Sequence, residues 1–293
     1  MYLPDDLISR NHAVIQRMGD GHYYLIDMGS RNGSFVNDTR VTVPRVLNEG
    51  DTISVGTGLL TFHSPASSAR QPGQVVEAID KTRVHFFPRL ITVLVIDIRG
   101  FTKLAQELDQ SVLCNLIAAF FSRSGAIVRA RGSWSQKYIG DAIMAVWVHR
   151  SAEGGRAEIF SALRASTEIA EMTSKIATEF AFSKPIQVGA GLNTGFASIG
   201  NAGTGDDIDF TALGDTVNAT FRIESSTKEI GSDLALGKNT YDYLRETAEG
   251  GGFFSRFEVS LKGYEDLAAV WGAPFAEVQR LLDTLPEDVT GVG

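Results

Sequence analysis

The run Ile91-Thr-Val-Leu-Val-Ile-Asp97 constrains this chain more than any other feature, because it is a strongly apolar strand that ends on a carboxylate. A second aspartate sits in Lys137-Tyr-Ile-Gly-Asp141, between two runs that read as hairpin strands. A carboxylate at the mouth of a buried strand is costly unless it is paired, solvated or bound to metal. Two of them point to a site for divalent cations, and through it to nucleotide chemistry.

The bulk properties leave room for this. A chain of 293 residues is long for one domain and comfortable for two. With 43% apolar and 21% charged residues it can bury real cores and stay soluble. A net charge of −8 argues against nucleic acid as a partner, since phosphate binding needs clustered Lys and Arg. The single cysteine, Cys114, cannot form an internal disulfide and fits a reducing compartment. The longest apolar run, around residues 90–98, is too short to span a bilayer. Met1-Tyr-Leu-Pro-Asp-Asp6 lacks the basic start and apolar segment of a secretory signal. The expectation is a cytoplasmic protein with neither membrane nor nucleic acid as partner.

Residues 1–63 carry short alternating runs separated by Gly, Asn and Asp, an all-β pattern. Residues 64–85 read as a linker by their Ser, Pro and Gly content. From there strands and helices alternate. Strands are expected at 91–97, 133–139, 142–148, 186–193 and 208–213, and helices at 109–130, 157–180 and 215–226. Gly140-Asp141 reads as a two-residue hairpin turn. The order β-α-β-β-α-β is that of a ferredoxin-like sheet covered by helices on one face, an α+β fold. Two or three strands and a helix complete a domain over 86–275, and 276–293 read as a tail.

The ordered segments are Val95-Ile-Asp-Ile-Arg-Gly-Phe-Thr102, Lys137 to Ala145, Gly200-Asn-Ala-Gly203, Asp209 to Arg222, and Leu261-Lys-Gly263. Together, at this spacing, they resemble the class III nucleotidyl cyclases. The resemblance implies cyclisation of a nucleoside triphosphate at two divalent ions, Mg²⁺ or Mn²⁺, in each active site. Asp97 and Asp141 match the family's metal ligands, with the carbonyl of Ile98 helping to hold the second ion. Gly100, Phe101 and Thr102 open a helix whose free amides suit the β and γ phosphates. Asn218 and Arg222 lie one turn apart on a helix and so share a face. In the family the matching Asn orients the ribose, and the matching Arg steadies charge on the α-phosphate. Lys262 is either a triphosphate contact or an ordinary exposed lysine.

Base choice rests on two positions. Lys137 matches the residue that contacts adenine N1, and Lys is a donor only, which favours ATP over GTP. Thr211 matches the partner of the exocyclic amine, and Thr there resembles the bacterial and soluble subgroup, often described as bicarbonate-responsive. Family members draw the metal aspartates from one subunit and the base-reading pair, Asn and Arg from the other. The resemblance therefore implies a homodimer with two shared sites, in which the segment from Gly195 to Asp209 crosses between subunits. A guanylate cyclase, or a silent scaffold that only binds and dimerises, are the alternatives.

Ser9-Arg-Asn-His12, then Asp27-Met-Gly-Ser-Arg-Asn-Gly-Ser-Phe-Val-Asn37 and Leu47-Asn-Glu-Gly-Asp-Thr-Ile53, resemble the forkhead-associated (FHA) domain. That family is a β-sandwich whose loops hold phosphothreonine, and Ser9, Arg10 and Asn32 occupy matching loop positions. Their hydroxyl, guanidinium and amide donors suit a dianion. The family's opening strands normally come some two dozen residues earlier, so either the start is placed too far downstream or the module is N-terminally shortened. It would dock a phosphorylated protein or support the dimer.

Overall fold

The computed structural model describes residues 5–8, 12–17, 22–27, 30, 32–41, 45–64, 86–149, 156–180, 185–202, 209–245, 252–264 and 266–284. The chain divides into two units, residues 1–87 with 198–211, and residues 88–197 with 212–293.

The first unit is built on short strands: β1 (Ala13–Arg17), β2 (Tyr23–Asp27), β3 (Ser34–Val36), β4 (Thr39–Arg40), β5 (Arg45–Leu47), β6 (Thr52–Val55) and β7 (Gly58–Thr61). They form two antiparallel sheets, β1-β2-β5 and β4-β3-β6-β7. Period-two alternation turns Ile53 and Val55 inward to meet Leu25, Val36, Val41, Leu47 and Phe62. Asn37 and Asp38, at φ 49° and 59°, close the β3–β4 hairpin in the left-handed conformation that matches strand twist. Asn37 also receives Thr52 N–H at 2.9 Å and donates to Asp51 at 2.8 Å. Asp27 braces the loop after β2, accepting from Ser30 N at 2.8 Å, Ser30 Oγ at 2.5 Å and Ser34 Oγ at 2.6 Å.

The remaining elements follow in chain order: β8 (Phe86–Ile98), α1 (Phe101–Glu107), α2 (Gln110–Ala130), β9 (Ser135–Ile139), β10 (Ala142–Val148) and α3 (Arg156–Glu179). After them come β11 (Val188–Ala202), β12 (Asp209–Leu213), α4 (Asp215–Ser226), β13 (Leu234–Gly237) and α5 (Lys238–Arg245). The chain then forms β14 (Ser255–Ser260), β15 (Leu267–Ala273) and α6 (Phe275–Asp283). The sheet has eight strands in the order β14-β15-β13-β11-β8-β10-β9, with β12 paired to β11. Its β11-β8-β10-β9 half is the ferredoxin-like arrangement, with β8 inside and the β9–β10 hairpin at its side.

Two expectations need correction. Helices cover both faces of the sheet, and strand alternation shows how. Leu234 and Leu236 of β13 join the main core with residues of α2, α3 and α6, whereas Ala235 joins a second cluster with Ile223 of α4. In β8, Leu94, Ile96 and Ile98 face the main core, so Asp97 faces the α4 side. The other correction concerns the expected tail over 276–293. It begins as core helix α6, whose Val278, Leu281 and Leu282 are buried. Their i, i+3, i+4 spacing is a helical stripe. The linker from 65 to 85 and the chain from 285 lie outside the described residues.

Helix α2 is long and apolar enough to cross a membrane by length and composition, although its sequence holds no unbroken apolar run as long as 90–98. Here Leu116, Phe120 and Val128 of α2 are core residues, and the helix packs on α3. On the opposite face α4 lies directly on β11. A Cβ at Gly191 would stand 2.5 Å from Glu224 N and 2.7 Å from Thr220 O, so only glycine permits this approach.

Candidate active site

The antiparallel register of β8 and β10 sets Asp97 opposite Ala142. Asp141 is the neighbour of Ala142 and the second residue of the β9–β10 turn, whose Gly140 has φ 64°. The two carboxylates therefore meet at one end of the sheet. As ionised groups both can only accept hydrogen bonds, and Asp97 Oδ1 is left buried with no partner. Burial first, then Asp141, and to a lesser degree Glu224 push the Asp97 carboxyl up to about 7, against the pull of Lys228. Lys228 Nζ lies 3.9 Å from Asp97 Oδ2.

Beneath the pair lies Glu224 of α4, only 4% exposed, with Oε1 unpartnered. Burial raises its pKa, while Lys228 and Arg99 oppose the rise. Arg99 is turned toward the backbone and donates to Ser232 O at 2.6 Å.

This donor set fits a small, hard divalent ion. Among the described residues no group of three or more His, Cys, Asp or Glu side chains is arranged for a metal. Two facing carboxylates and an orphaned oxygen suit an ion that completes its shell with water and phosphate oxygens, as Mg²⁺ does. Ile98 is buried, so only its backbone carbonyl at the end of β8 could contribute. Gly100 follows at φ 68° and caps α1, accepting from Lys103 N and Leu104 N at 3.0 and 3.1 Å. The amides of Phe101 and Thr102 belong to the first turn and have no intrahelical acceptor. The Phe101 side chain packs on the core.

Asn218 and Arg222 are exposed on α4, while Val217, Thr220, Ile223 and Glu224 are buried on its other side. The start of the helix is tied to β11 by Thr216 Oγ1 to Phe196 O at 2.8 Å and Asn193 Nδ2 to Thr216 O at 3.1 Å. Lys262 is exposed on the turn after β14, where Gly263 has φ 92° and Tyr264 N donates to Leu261 O at 3.0 Å. Tyr264 latches this turn to α4, its hydroxyl donating to Asp215 at 2.5 Å. That bond pushes the tyrosine up to about 12. Asp215, Asn218 and Arg222, at i, i+3 and i+7, share one face of α4.

Lys137 is half-buried in β9 opposite Met144, and Thr211 is buried in β12. Among the described residues no hydrogen bond or ion pair links Asp97 or Asp141 to Asn218 or Arg222. In the first unit Ser9 and Arg10 lie outside the described residues, as do residues 203–208 of the expected arm. Asn32 is exposed and donates to Leu7 O at 2.7 Å.

Sequence reasoning missed Glu224, Lys228 and Tyr264. Glu224 left one weak signal, a charge at i+7 from Val217 and beside Ile223, the two apolar positions of the inward face of its helix. Lys228 and Tyr264 left none.

The family model for the adenylate and guanylate cyclase catalytic domain matches residues 88–271, and the chain belongs to this family. Residues 1–56 match the FHA domain, so the chain joins an FHA domain to a cyclase domain. It is 29% identical over 154 residues, half of its length, to an adenylate cyclase of Anabaena cylindrica, of which the match covers 29%. Its fold is that of the adenylyl cyclase CyaB from P. aeruginosa, at a TM-score of 0.55 and 22% identity, covering 64% of this chain and 95% of that one. The guanylyl cyclase Cya2 superposes nearly as well, at a TM-score of 0.53 and 22% identity over 64% and 92% of the two chains.

An aspartate whose pKa is raised on folding holds its proton more tightly when folded. Its contribution to stability is therefore lost as pH climbs from about 4, the unfolded value, to about 7. In metal-free buffer Asp97→Asn should match wild type near pH 4 and exceed it by roughly 1–3 kcal/mol at pH 8, in urea titrations. A divalent ion should close that gap. Equal stabilities at both pH values would contradict this electrostatic picture.

Proposed function

We propose that this chain is an adenylate cyclase, which converts ATP to 3′,5′-cyclic AMP and pyrophosphate as a homodimer with two shared active sites. The observation that carries the reading is the facing pair Asp97 and Asp141, with its orphaned oxygen, in a cyclase fold whose helix α4 presents Asn218 and Arg222. In the reaction the ribose 3′-oxygen bonds to the α-phosphorus, the bond to pyrophosphate breaks, and the 3′-hydroxyl proton is released. Two Mg²⁺ or Mn²⁺ ions held by Asp97, Asp141 and the Ile98 carbonyl would activate that oxygen and neutralise the leaving group.

The chain's own groups do the rest. Amides at Gly100, Phe101 and Thr102 receive the β and γ phosphates. Arg222 offers a planar donor fork to the α-phosphate as its charge grows, and Asn218 orients the ribose. Lys262, on the turn latched by Tyr264, supplies a further cation to the triphosphate. Lys137 donates to adenine N1, and Thr211 meets the exocyclic amine. This donor at Lys137 is what favours ATP, since the Anabaena relative is named an adenylate cyclase but the structural likeness extends to a guanylyl cyclase as well. Phe196 and Leu213, 64% and 51% exposed, are large apolar side chains beside the β11–β12 arm and suit burial against a second copy. ATP and a reduced Cys114 both point to the cytoplasm.

Purified chain given ATP or GTP with Mn²⁺ should form cyclic AMP faster than cyclic GMP. Asp97→Ala and Lys137→Ala should each lose roughly 100-fold or more in rate. Mixed in equal amounts they should regain about a quarter of wild-type activity, because random exchange makes half the dimers mixed, each with one intact site. Cyclic GMP as the faster product would replace the reading with a guanylate cyclase. Mixed dimers without recovered activity would exclude shared sites.

The FHA domain is read as a phosphothreonine dock served by Ser9, Arg10 and Asn32. The full-length chain should bind phosphothreonine peptides and lose that binding on Arg10→Ala. Equal affinity for phosphorylated and unphosphorylated peptides would leave the domain a dimer-supporting role.

A further inference from the structure

Lys228 belongs to no motif and stands beside Asp97, whose Oδ1 is buried without a partner. Its Nζ is 3.9 Å from Asp97 Oδ2. Its charge acts on Asp97 and Glu224; Asp141 acts on both of those carboxylates, and Arg99 on Glu224. Arg99 gives its Nη2 to Ser232 O, and among the described residues Lys228 is the ion-pair partner of Asp97.

The lysine is held there by its backbone. It follows α4 in a segment fixed on both sides: Thr227 N to Glu224 O at 2.9 Å, Glu229 N and Ile230 N to Ser226 O at 3.0 Å, and Ser232 N to Thr227 O at 3.1 Å. Thr227 is buried, and its hydroxyl donates to Glu224 O at 2.6 Å. The Cα of Lys228 is thus anchored one turn beyond Glu224. Its side chain is 54% exposed, so it can swing into water without disturbing the core.

Three carboxylates in one low-dielectric corner repel one another, and each nearby cation relieves part of that repulsion. A cation bound to Asp97 also weakens that carboxylate's grip on any second cation. We infer that Lys228 is a built-in counter-ion that holds Asp97 while the site lacks metal and competes with the divalent ion for it. Lys228 thereby sets how tightly the ion is held before nucleotide arrives. It is a positioning residue, and the inference rests on the reading of Asp97 and Asp141 as metal ligands.

The test is Mn²⁺ binding to the chelator-treated full chain without nucleotide, read from the free-ion signal in electron paramagnetic resonance. Lys228→Met keeps the length and removes the charge, and should bind Mn²⁺ roughly 5–10-fold more tightly than wild type. Lys228→Arg keeps the charge and should stay within about twofold of wild type. Asp97→Asn should abolish the tight site. Equal or weaker binding by Lys228→Met, with Asp97→Asn still abolishing it, overturns the counter-ion role and leaves the metal reading intact. Mn²⁺ binding that survives Asp97→Asn removes the metal reading, and this inference with it.

Discussion

The register between β8 and β10 is the constraint on which the site depends. Seven residue pairs, from Ile91 opposite Val148 to Asp97 opposite Ala142, lock two almost fully buried strands together. A slip of one residue would turn every side chain to the other face, sending Asp97 into the helical core and its apolar neighbours outward. That penalty, spread over the strand, forces two like charges together at its end. The raised proton affinity of Asp97 and its unpartnered oxygen are the local trace of this strain. A divalent ion held by Asp97 and Asp141 would relieve it.

In the proposed reaction the other half of the chemistry falls to α4, which lies on the opposite face of the sheet from the main helical layer. Its placement comes from glycine in β11: Gly191 lets the helix backbone touch the strand, and Gly189 leaves space for the Glu224 carboxylate and the Arg99 guanidinium. The helix therefore has a buried side that reaches the Asp97–Asp141 corner through Glu224 and an exposed side that presents Asn218 and Arg222. Rigid elements hold both halves, as the proposed placement of phosphate and ribose to within fractions of an ångström would require.

Much of this was legible in the residues. The apolar run ending at Asp97, the Gly140-Asp141 turn and the helix over Asp215–Ser226 all stand where local pattern puts them, because each signal spans only a few neighbouring residues. Contacts between distant segments leave no periodic trace. Tyr264 with Asp215 and Lys228 with Asp97 are of that kind, and neither could be found before the fold was known. Helix α6 was hidden differently, since the Pro and Gly after it masked the stripe of Val278, Leu281 and Leu282. The two-sided packing was missed because Ala235 and Val270 face α4 from strands whose alternate residues serve the main core.

The claim that joins these observations is that Asp97 and Asp141 hold divalent ions against a nucleoside triphosphate. Anomalous diffraction from crystals grown with Mn²⁺ and a non-reacting ATP analogue tests it directly. The account predicts manganese peaks bridging the two carboxylates and the triphosphate. A bound nucleotide with no manganese on Asp97 or Asp141 would contradict it.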